Sequence, residues 1–275
     1  FLNYHGIQNI PYFFGEDILN NISVMQWIHS TGPHSVTEDD ILVCSHFIAS
    51  IMSISKGRSA ENLSSAKQAC FSADEIIKQI DDRLSRLLSV ASSNRILEIF
   101  LKEELIPECE KLILTGKERC SALKIELYKQ LPPECCRLIP ADFGFQNALK
   151  KDDGSLKFFD FEYFGWDDPI KAITDFTLHP SYLMPQIYKE TVANTVFENT
   201  EIDHHFFDRL YAFTPFYICR WSLIMLNDFL PHRQLIANNS DSYENLKRGQ
   251  LAQLTKVRDY LIFQNNNSPS CLPLE

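Results

Sequence analysis

The feature that most constrains this chain is a short, Asp-rich segment between two long stretches with helical patterning. From Cys136 to Trp166 the spacing of amphipathic helices gives way to short apolar and aromatic runs, which are separated by Asp152, Asp153 and Gly154. An Asp-Gly pair between apolar runs is a strong hairpin signal, because glycine readily takes the positive φ that tight primed turns require. The segment therefore predicts a small β-hairpin inserted into a mainly helical protein.

The length of the hairpin loop decides which side chains meet across its strands. A two-residue loop at Asp153 and Gly154 places Asn147 opposite Asp160. Directly opposed residues have Cβ atoms roughly 4.5–5.5 Å apart on the same face of the sheet. A carboxamide then lies beside a carboxylate at the open end of the hairpin, and hard oxygen ligands of this kind suit Mg²⁺. A loop of another length would break this pairing.

Asp142 lies five residues before Asn147, in the loop that leads into the predicted hairpin. A carboxylate there can accept a hydrogen bond from a substrate hydroxyl and orient it toward a phosphoryl group, since phosphoryl transfer depends mostly on positioning and charge stabilisation. A lone Asp-x-x-x-x-Asn pattern occurs often by chance, and a lone Asp-Gly hairpin is usually a surface turn. Together with Asp160-Phe161-Glu162, the combination indicates a phosphotransferase site.

These residues carry a family resemblance. The segment resembles the catalytic loop and metal-binding hairpin of the aminoglycoside phosphotransferase and choline kinase-like group, whose pattern is His-Gly-Asp-x-x-x-x-Asn, Ile-Asp-Phe-Glu and Gly-x-x-Asp-Pro. The matching positions follow in the same order: Asp142, Asn147, Asp160-Phe161-Glu162, Gly165 and Asp168-Pro169, with a later Asp175. The resemblance implies that Asp142 is the catalytic base and that Asn147 and Asp160 hold Mg²⁺. It also implies that ATP or GTP is the co-substrate.

The resemblance further implies an α+β, protein-kinase-like fold, with a partial N-terminal β lobe followed by a mainly helical C-terminal lobe that carries the catalytic β-hairpin. Residues 1–28 would be the remnant of the nucleotide-binding lobe and hinge, and residues 29–275 the C-terminal lobe, with the catalytic loop and hairpin at 136–168. Backbone groups of the hinge would hold the adenine, with Gln26 and Ile28 as the contacts. The hinge residues are Val24, Met25, Gln26, Trp27 and Ile28.

The chain departs from the family pattern in two ways. Pro140 and Ala141 replace the family's His and Gly before the catalytic Asp, and Gly144 stands where many members have a second His. The nine glycines form no phosphate-binding run of the kinds known for nucleotide sites. The lysine and glutamate that pair over the phosphates in kinase-like folds would lie before Phe1, so we expect the sequence to begin partway through the nucleotide-binding lobe.

Candidate substrate contacts follow the hairpin: Glu162, Trp166 and Asp167. Trp166 and Tyr163 could equally pack in the core, and Asp168 could equally cap a helix. The hydroxyl acceptor could be a sugar, an amino sugar, an aminoglycoside or an amino alcohol. Two rival hypotheses remain: a catalytically weak or inactive kinase-like binding or scaffold module, and a helical interaction protein with a chance hairpin, in which Asn147 and Asp160 are distant or splayed.

Helical patterning surrounds this segment. We expect a strand at Ile22–Ile28, a helix from Thr37 and a capped helix from Ser72 with Glu75. Two helices over 94–130, interrupted near Pro107 and Gly116, are expected next, followed by helices over 203–230 and 243–263. His204-His205 fits a solvated helix start better than a metal site. Arg220, in an apolar stretch, is expected to pair with a carboxylate, one from the 162–175 loop.

Composition limits the partners and the compartment. The 275 residues, 45% of them hydrophobic, suffice for one large domain or two unequal lobes. A formal net charge of -10 argues against a nucleic-acid partner. The stretch from Leu210 to Leu230 contains Pro215, Arg220 and Asp228, so we expect a buried helix and no membrane span. Eight cysteines without a Cys-x-x-Cys pair predict free, mostly buried thiols in a reducing cytoplasm.

Overall fold

The computed structural model describes residues 1–30, 35–57, 60–231 and 243–267. The chain divides into two compact units. The first unit comprises Phe1–Ala69, Pro132–Thr177 and Met184–Asp203, and it contains every segment predicted to form the site. The second unit comprises Cys70–Leu131, Leu178–Leu183 and His204–Glu275. The predicted lobe boundary at residue 28 falls inside the first unit and stays a prediction.

The described strands of the first unit form antiparallel pairs. They are β1 (Phe13–Asp17) with β2 (Ile22–Met25), β3 (Arg137–Ile139) with β6 (Gly165–Asp167), and β4 (Ala148–Lys150) with β5 (Leu156–Phe158). The strand predicted over Ile22–Ile28 ends at Met25. Large apolar side chains of the β1–β2 ribbon, among them Phe14 and Val24, are exposed. The buried strand residues belong to β3, β5 and β6.

The first unit also contains the helices α1 (Glu38–Ser53), α5 (Pro169–Thr177) and α6 (Gln186–Glu198). Helices α1 and α5 pack against β3, and helix α6 packs against α1 and α5. Thr37 caps α1 as predicted, in a reciprocal capping box with Asp40. The apolar residues of α1 recur at helical spacing and are buried, as Ile41, Ile48 and Ile51 show. Helix α1 packs against α6 and β3, which places its buried face beside the strand that leads into the predicted catalytic loop.

The second unit is built from helices. They are α2 (Ala73–Ala91), α3 (Arg95–Phe100), α4 (Ile106–Ala122), α7 (Phe206–Ile224) and α8 (Tyr243–Asn266), with a π-helical turn at Leu101–Leu105 and a 3₁₀ turn at Met225–Phe229. Ser72 accepts a hydrogen bond from the backbone N–H of Glu75, which confirms the predicted N-cap of α2. Helices α2 and α4 both pack on α7.

An irregularity does lie near Pro107, as predicted. The helix that begins at Arg95 passes through a π-helical turn at Leu101–Leu105, directly before α4, whose first turn contains Pro107. A proline has no N–H to donate to the preceding helical turn, which fits an irregularity at this point. The interruption predicted near Gly116 is wrong. Gly116 lies inside α4, and a Cβ built there would come within 2.4 Å of Cε1 of Phe216. Gly116 is therefore explained by the close approach of α4 to α7 and does not end the helix.

The apolar stretch around α7 is a buried helix, as predicted: Phe216, Tyr217 and Ile218 are all inaccessible. Of the helices in the described ranges, none has the length and apolar character needed to cross a membrane. Arg220 is buried and its Nε donates to Oε1 of Gln79 at 3.0 Å, while its carboxylate partner stays a prediction. His204 and His205 are exposed immediately before α7, which fits the predicted solvated helix start.

The cysteines of the described ranges are all free thiols, and all but Cys135 are buried. This agrees with the expectation from their spacing. Cys271 lies outside the described residues.

Candidate active site

The predicted catalytic loop begins where strand β3 ends. Leu138 and Ile139 of β3 are fully buried and pair with β6, and Pro140 and Ala141 continue into the interior. Asp142 follows, half-buried, with a φ of 58°. A non-glycine residue in the left-handed region is uncommon, although Asp and Asn tolerate it better than most residues. Such strained residues are concentrated at functional sites, so the conformation singles out Asp142 within this loop.

Asn147 returns to Asp142 through a single turn of 3₁₀ helix at Phe145–Asn147. Its side-chain Nδ2 donates a 3.0 Å hydrogen bond to the backbone carbonyl oxygen of Asp142. Nε2 of Gln146 donates to the same oxygen at 3.2 Å. The amide nitrogen of Asn147 is therefore held by the loop, and its Oδ1 remains as the atom able to act as a ligand.

The predicted hairpin forms, but its predicted register is wrong by one residue. Ala148 pairs with Phe158, and Lys150 pairs with Leu156, so Asn147 stands opposite Phe159 and not Asp160. The loop has three residues, 152–154, closed by hydrogen bonds of 2.9 Å from the Lys151 N–H to the Ser155 carbonyl and from the Gly154 N–H to the Lys151 carbonyl. Gly154 has a φ of 82°, as expected when a left-handed residue follows a type I turn.

Asp160 follows the residue that stands opposite Asn147. The backbone N–H of Phe159 donates to the Asn147 carbonyl at 3.1 Å, which extends the ladder to the residue before Asp160. Asp160 itself is exposed and has a φ of 66°, so the strand ends there and the chain turns. Hydrogen bonds therefore join Asp142 to Asn147, and Asn147 to the residue before Asp160. The convergence of the three side chains on one site stays a prediction.

An aromatic cluster contains the residues that follow Asp142 and Asp160. The ring of Phe47 in α1 stacks on Phe143 at 5.3 Å between centroids and lies 4.4 Å from Phe158 and 5.9 Å from Phe161. Phe143 directly follows Asp142, and Phe161 directly follows Asp160. Each aspartate is therefore next in the chain to a residue that packs against α1. Phe143 also contacts Phe176 of α5, at 5.5 Å. The loop and the hairpin thus share one rigid apolar support.

A pocket of about 390 Å³ separates the predicted hinge from the hairpin. Its lining residues are Pro11, Gln26, Trp27, Ile28, His29, Ser30, Leu149, Lys157 and Phe159. The Gln26 N–H donates to the Tyr12 carbonyl at 2.8 Å, and Oε1 of Gln26 accepts from the Tyr12 N–H at 3.3 Å. Three of the five predicted hinge residues line this pocket, whereas Val24 and Met25 lie in the exposed end of β2.

The predicted substrate contacts differ in accessibility. Glu162 is exposed and Trp166 is half-buried, with its Nε1 donating to the Ala60 carbonyl at 3.1 Å. Asp167 has no exposed surface, its Oδ1 accepts from the Asp168 N–H, and its Oδ2 lies 3.7 Å from Nζ of buried Lys171. The predicted contact between substrate and Asp167 is therefore wrong, because a substrate cannot reach this buried carboxylate from the protein surface.

Two neighbours of these residues have structural roles. Oδ1 of Asp168 accepts from the Ile170 N–H at 3.1 Å at the start of α5, as the capping alternative predicted. Gly165 cannot carry a side chain, because a Cβ would lie 2.5 Å from the Ser64 carbonyl oxygen. The Ser64 carbonyl accepts from the Trp166 N–H, and the Ala66 N–H donates to the Trp166 carbonyl. The glycine of the motif thus allows a neighbouring segment to pair with β6.

The donor set near the hairpin suits a hard cation. An amide oxygen from Asn147 and a carboxylate from Asp160 are the ligand types that Mg²⁺ takes, usually one or two from the protein together with phosphate oxygens. Within the described ranges, no group of three or more His, Cys, Asp or Glu residues could hold a metal ion. A closed site made entirely from such protein ligands is therefore not present in that part of the chain, and a site shared with phosphate oxygens fits the residues better.

Some neighbours of the site were not identified from the sequence. Leu149, Lys157 and Phe159 line the pocket, and Phe47 supports the loop through Phe143, which is distant from it in the sequence. Alternation in the hairpin could have indicated which strand residues face outward, but nothing local in the sequence indicates that Phe47 meets Phe143.

Solved structures of small-molecule kinases share this fold. A spectinomycin phosphotransferase, solved with ADP and spectinomycin, is 12% identical with a TM-score of 0.58 over 97% of this chain and 79% of its own. A choline/ethanolamine kinase family protein from Mesorhizobium loti is 12% identical, with a TM-score of 0.52 over 95% of this chain and 80% of its own. An ethanolamine kinase from Plasmodium vivax is 13% identical, with a TM-score of 0.52 over 96% and 71%.

These similarities confirm the predicted kinase-like α+β fold. The structures belong to the groups that the catalytic segment resembles, although identities this low establish the fold alone. No protein-family model and no curated protein matches the chain.

Proposed function

We propose that this protein is a phosphotransferase that moves the γ-phosphoryl group of ATP to a hydroxyl of a small molecule. The observation that carries the proposal is the hydrogen bond from the Asn147 amide to the Asp142 carbonyl, continued by the bond from the Phe159 N–H to the Asn147 carbonyl. These bonds connect the half-buried Asp142 to Asn147, and Asn147 to the residue before the exposed Asp160, which supports a site shared by the three residues. A kinase-like fold around that segment supports the proposal.

In this proposal, Asp142 accepts a hydrogen bond from the substrate hydroxyl and aligns it with the phosphorus. The hydroxyl oxygen forms the new bond to the γ-phosphorus, its proton passes to Asp142, and the bond from phosphorus to the β,γ-bridging oxygen breaks to release ADP. Little covalent chemistry is required of the protein, because most of the acceleration comes from positioning and charge stabilisation. The aromatic support beneath Phe143 would hold Asp142 still during this step.

Asn147, through its Oδ1, and Asp160 are the residues that would hold Mg²⁺. When bound, the ion neutralises charge on the phosphate oxygens. The chain's own contribution is the orientation of the two ligands. The loop fixes the Asn147 amide nitrogen, so that its oxygen faces away from the Asp142 carbonyl. The chain turns at Asp160, and its side chain is exposed to solvent.

The pocket between hinge and hairpin would take the adenine. Its lining is largely apolar, with Trp27 and Ile28 on one side and Leu149 and Phe159 on the other. Because the Gln26 N–H is already bonded to Tyr12, the hinge would offer the Gln26 carbonyl as acceptor and the Ile28 N–H as donor. Adenine presents a complementary donor and acceptor on one edge. ATP is favoured over GTP as the donor, and a neighbour of the same fold binds ADP.

The acceptor would be a small polar molecule with a hydroxyl. The fold neighbours include a spectinomycin phosphotransferase and choline or ethanolamine kinases, so aminoglycosides and amino alcohols are the first classes to test, followed by sugars and amino sugars. Glu162 and Trp166 are the substrate contacts that remain after the exclusion of Asp167. An exposed carboxylate at Glu162 suits an amine-bearing acceptor.

The decisive experiment measures ADP release from Mg-ATP with a panel of aminoglycosides, choline, ethanolamine and sugars. We expect acceptor-dependent release by the wild-type chain and release at least about 100-fold slower by Asp142→Asn. Asp152→Asn, an exposed change in the hairpin loop, is the matched control and should behave as wild type. Release that is equal in the Asp142 variant would contradict the proposed base.

A second candidate is a nucleotide-binding module without transfer activity. The observation that favours it is the replacement of the family's His and Gly by Pro140 and Ala141, both buried directly before Asp142. Such a module predicts Mg²⁺-dependent binding of ATP, measured by calorimetry, without ADP release for any acceptor in the panel. Binding together with acceptor-dependent release supports the phosphotransferase instead.

A further inference from the structure

A partly buried ion pair ties the hairpin to the start of helix α1. Nζ of Lys150, the last residue of β4, lies 2.8 Å from Oδ2 of Asp40, and the side chains are 20% and 7% exposed. The neighbouring lysine makes a contrasting pair. Nζ of Lys151 lies 2.6 Å from Oδ2 of Asp153 within the hairpin itself, and those side chains are 37% and 58% exposed. Exposed pairs contribute little, whereas breaking a buried pair leaves an uncompensated charge.

The capping box of α1 holds Asp40 in place independently of Lys150. Oδ2 of Asp40 accepts hydrogen bonds from the backbone N–H and the hydroxyl of Thr37, each at 2.9 Å, as part of the capping box of α1. The ammonium of Lys150 donates to the same oxygen. One oxygen therefore receives three donors, and the hairpin is attached to a residue that the helix N-terminus already holds in place.

The ion pair between Lys150 and Asp40 joins elements that neighbour the two walls of the pocket in the chain. One wall of the pocket is the hinge segment from Gln26 to Ser30, which precedes α1 in the chain, and the other wall includes Leu149, adjacent to Lys150. On the opposite strand, the Phe158 N–H donates to the Asn9 carbonyl at 2.7 Å. The hairpin is thus held on the β5 side by Asn9 and on the β4 side by Asp40.

We propose that Lys150 is a positioning residue that sets the separation between the hinge wall and the hairpin wall, and thereby the affinity for nucleotide. This inference rests on the proposed function of the pocket. Without the ammonium, the β4 side of the hairpin loses its tie to α1, and Leu149 moves relative to the hinge. Asn147, three residues earlier and bonded to the Asp142 carbonyl, keeps its own hydrogen bonds. The effect therefore falls on nucleotide binding and much less on the transfer step.

The test compares Lys150→Met with Lys151→Met in the full chain. The two changes remove the same charge from adjacent residues of one hairpin and keep the aliphatic stem. We expect Lys150→Met to weaken Mg-ATP binding about tenfold in calorimetry, with kcat within about twofold of wild type. Lys151→Met should match wild type, and Lys150→Arg should restore most of the affinity. Asp40→Asn serves as a second variant that keeps the cap and should weaken binding as Lys150→Met does.

Hydrogen exchange of the peptide spanning residues 145–160 separates this inference from the proposed function. Faster exchange in Lys150→Met than in Lys151→Met, together with weaker nucleotide binding, supports the positioning role. Equal exchange and equal affinity in the two variants overturn it, as does faster exchange with unchanged affinity. Failure of the wild-type chain to bind any nucleotide overturns the proposed function, while the exchange comparison still decides whether Lys150 holds the hairpin.

Discussion

The side-chain amide of Asn147 donates a hydrogen bond of 3.0 Å to the backbone carbonyl oxygen of Asp142. This bond gives a physical meaning to the five-residue spacing of the two residues, because the 3₁₀ turn between them brings the chain back on itself. The carbonyl of Asn147 is in turn bonded to the N–H of Phe159. Asn147 therefore joins the loop that carries one aspartate to the strand end that carries the other.

Replacing Asp142 by Asn should slow transfer strongly without unfolding the protein. Asn tolerates the left-handed backbone at this position as well as Asp does, so the φ of 58° adds no new strain. The amide accepts a proton far less readily than the carboxylate, and kcat should fall roughly 100- to 10,000-fold. Steady-state ADP release measures the loss, and urea denaturation should show an almost unchanged free energy of unfolding. A variant that keeps more than a tenth of wild-type kcat would exclude Asp142 as the base.

Replacing Asp160 by Asn should raise the Mg²⁺ concentration needed for half-maximal activity by at least about tenfold. The change keeps the size and the left-handed backbone but removes the charge that would bind the cation. A magnesium titration of ADP release provides the measurement. Asp153→Asn, in the exposed hairpin loop, is the control and should leave the titration unchanged. Equal magnesium dependence in both variants would remove Asp160 from the metal site.

Local chemistry allowed much of this to be predicted. The Asp-Gly turn predicted the hairpin, the capping residues Thr37 and Ser72 predicted two helix starts, and the order of Asp142 and Asn147 predicted the loop. The register was missed because turn residues alone do not distinguish a two-residue loop from a three-residue loop with a left-handed glycine.

Other features depended on distant contacts. Gly116 has the sequence signature of a helix break, and only the ring of Phe216 shows why it lies within a helix. Asp167 stands in a motif position that suggests a substrate contact, and only packing reveals its burial. Such outcomes arise from contacts between residues distant in sequence, which periodicity does not encode.

Phe47 should carry a large share of the stability of the first unit. Its ring contacts Phe143, Phe158 and Phe161, so truncation would leave a cavity beneath the loop and the hairpin together. We expect Phe47→Ala to lower the free energy of unfolding by about 3–5 kcal/mol, measured by denaturant unfolding. Phe14→Ala removes an exposed ring of the same size and should change the free energy of unfolding by at most about 0.5 kcal/mol. Similar losses in both variants would contradict the packing described.

Gly165→Ala should destabilise the protein by about 1–3 kcal/mol, because the new methyl would lie 2.5 Å from the Ser64 carbonyl oxygen and 2.6 Å from the Ala66 nitrogen. These are backbone atoms that pair with β6 and cannot move aside cheaply. Gly249→Ala is the control. It lies in α8 with no atom near its built Cβ, and it should stabilise the protein by about 0.5–1 kcal/mol. In thermal unfolding, we expect the midpoint temperature to fall for Gly165→Ala and to rise for Gly249→Ala. An unchanged midpoint for Gly165→Ala would contradict the close approach of Ser64 to Gly165.

The buried carboxylate of Asp40 should make stability depend on pH in a definite direction. Burial, the largest influence, raises its pKa, but the hydrogen bonds from Lys150 and from Thr37 outweigh burial and lower the pKa below its ordinary value of 3.8. A group whose pKa is depressed by folding contributes stability that is present above its ordinary pKa and lost as the pH falls through the folded pKa. We therefore expect wild type to exceed Asp40→Asn in free energy of unfolding near pH 7, with the difference shrinking as the pH falls below about 4.

Urea denaturation of the two proteins at intervals from pH 7 to pH 3 measures that difference, and taking the difference removes the titration of carboxylates common to both. The pKa of Asp153 is also lowered, first by its hydrogen bond from Lys151, but that pair is exposed and screened by solvent. The free energy of unfolding of Asp153→Asn should consequently follow that of wild type, with an almost constant difference across the same pH range. If the difference between wild type and Asp40→Asn is constant as well, the Lys150 ion pair contributes nothing to the stability of the folded state. The tie between hairpin and helix would then have to rest on packing alone.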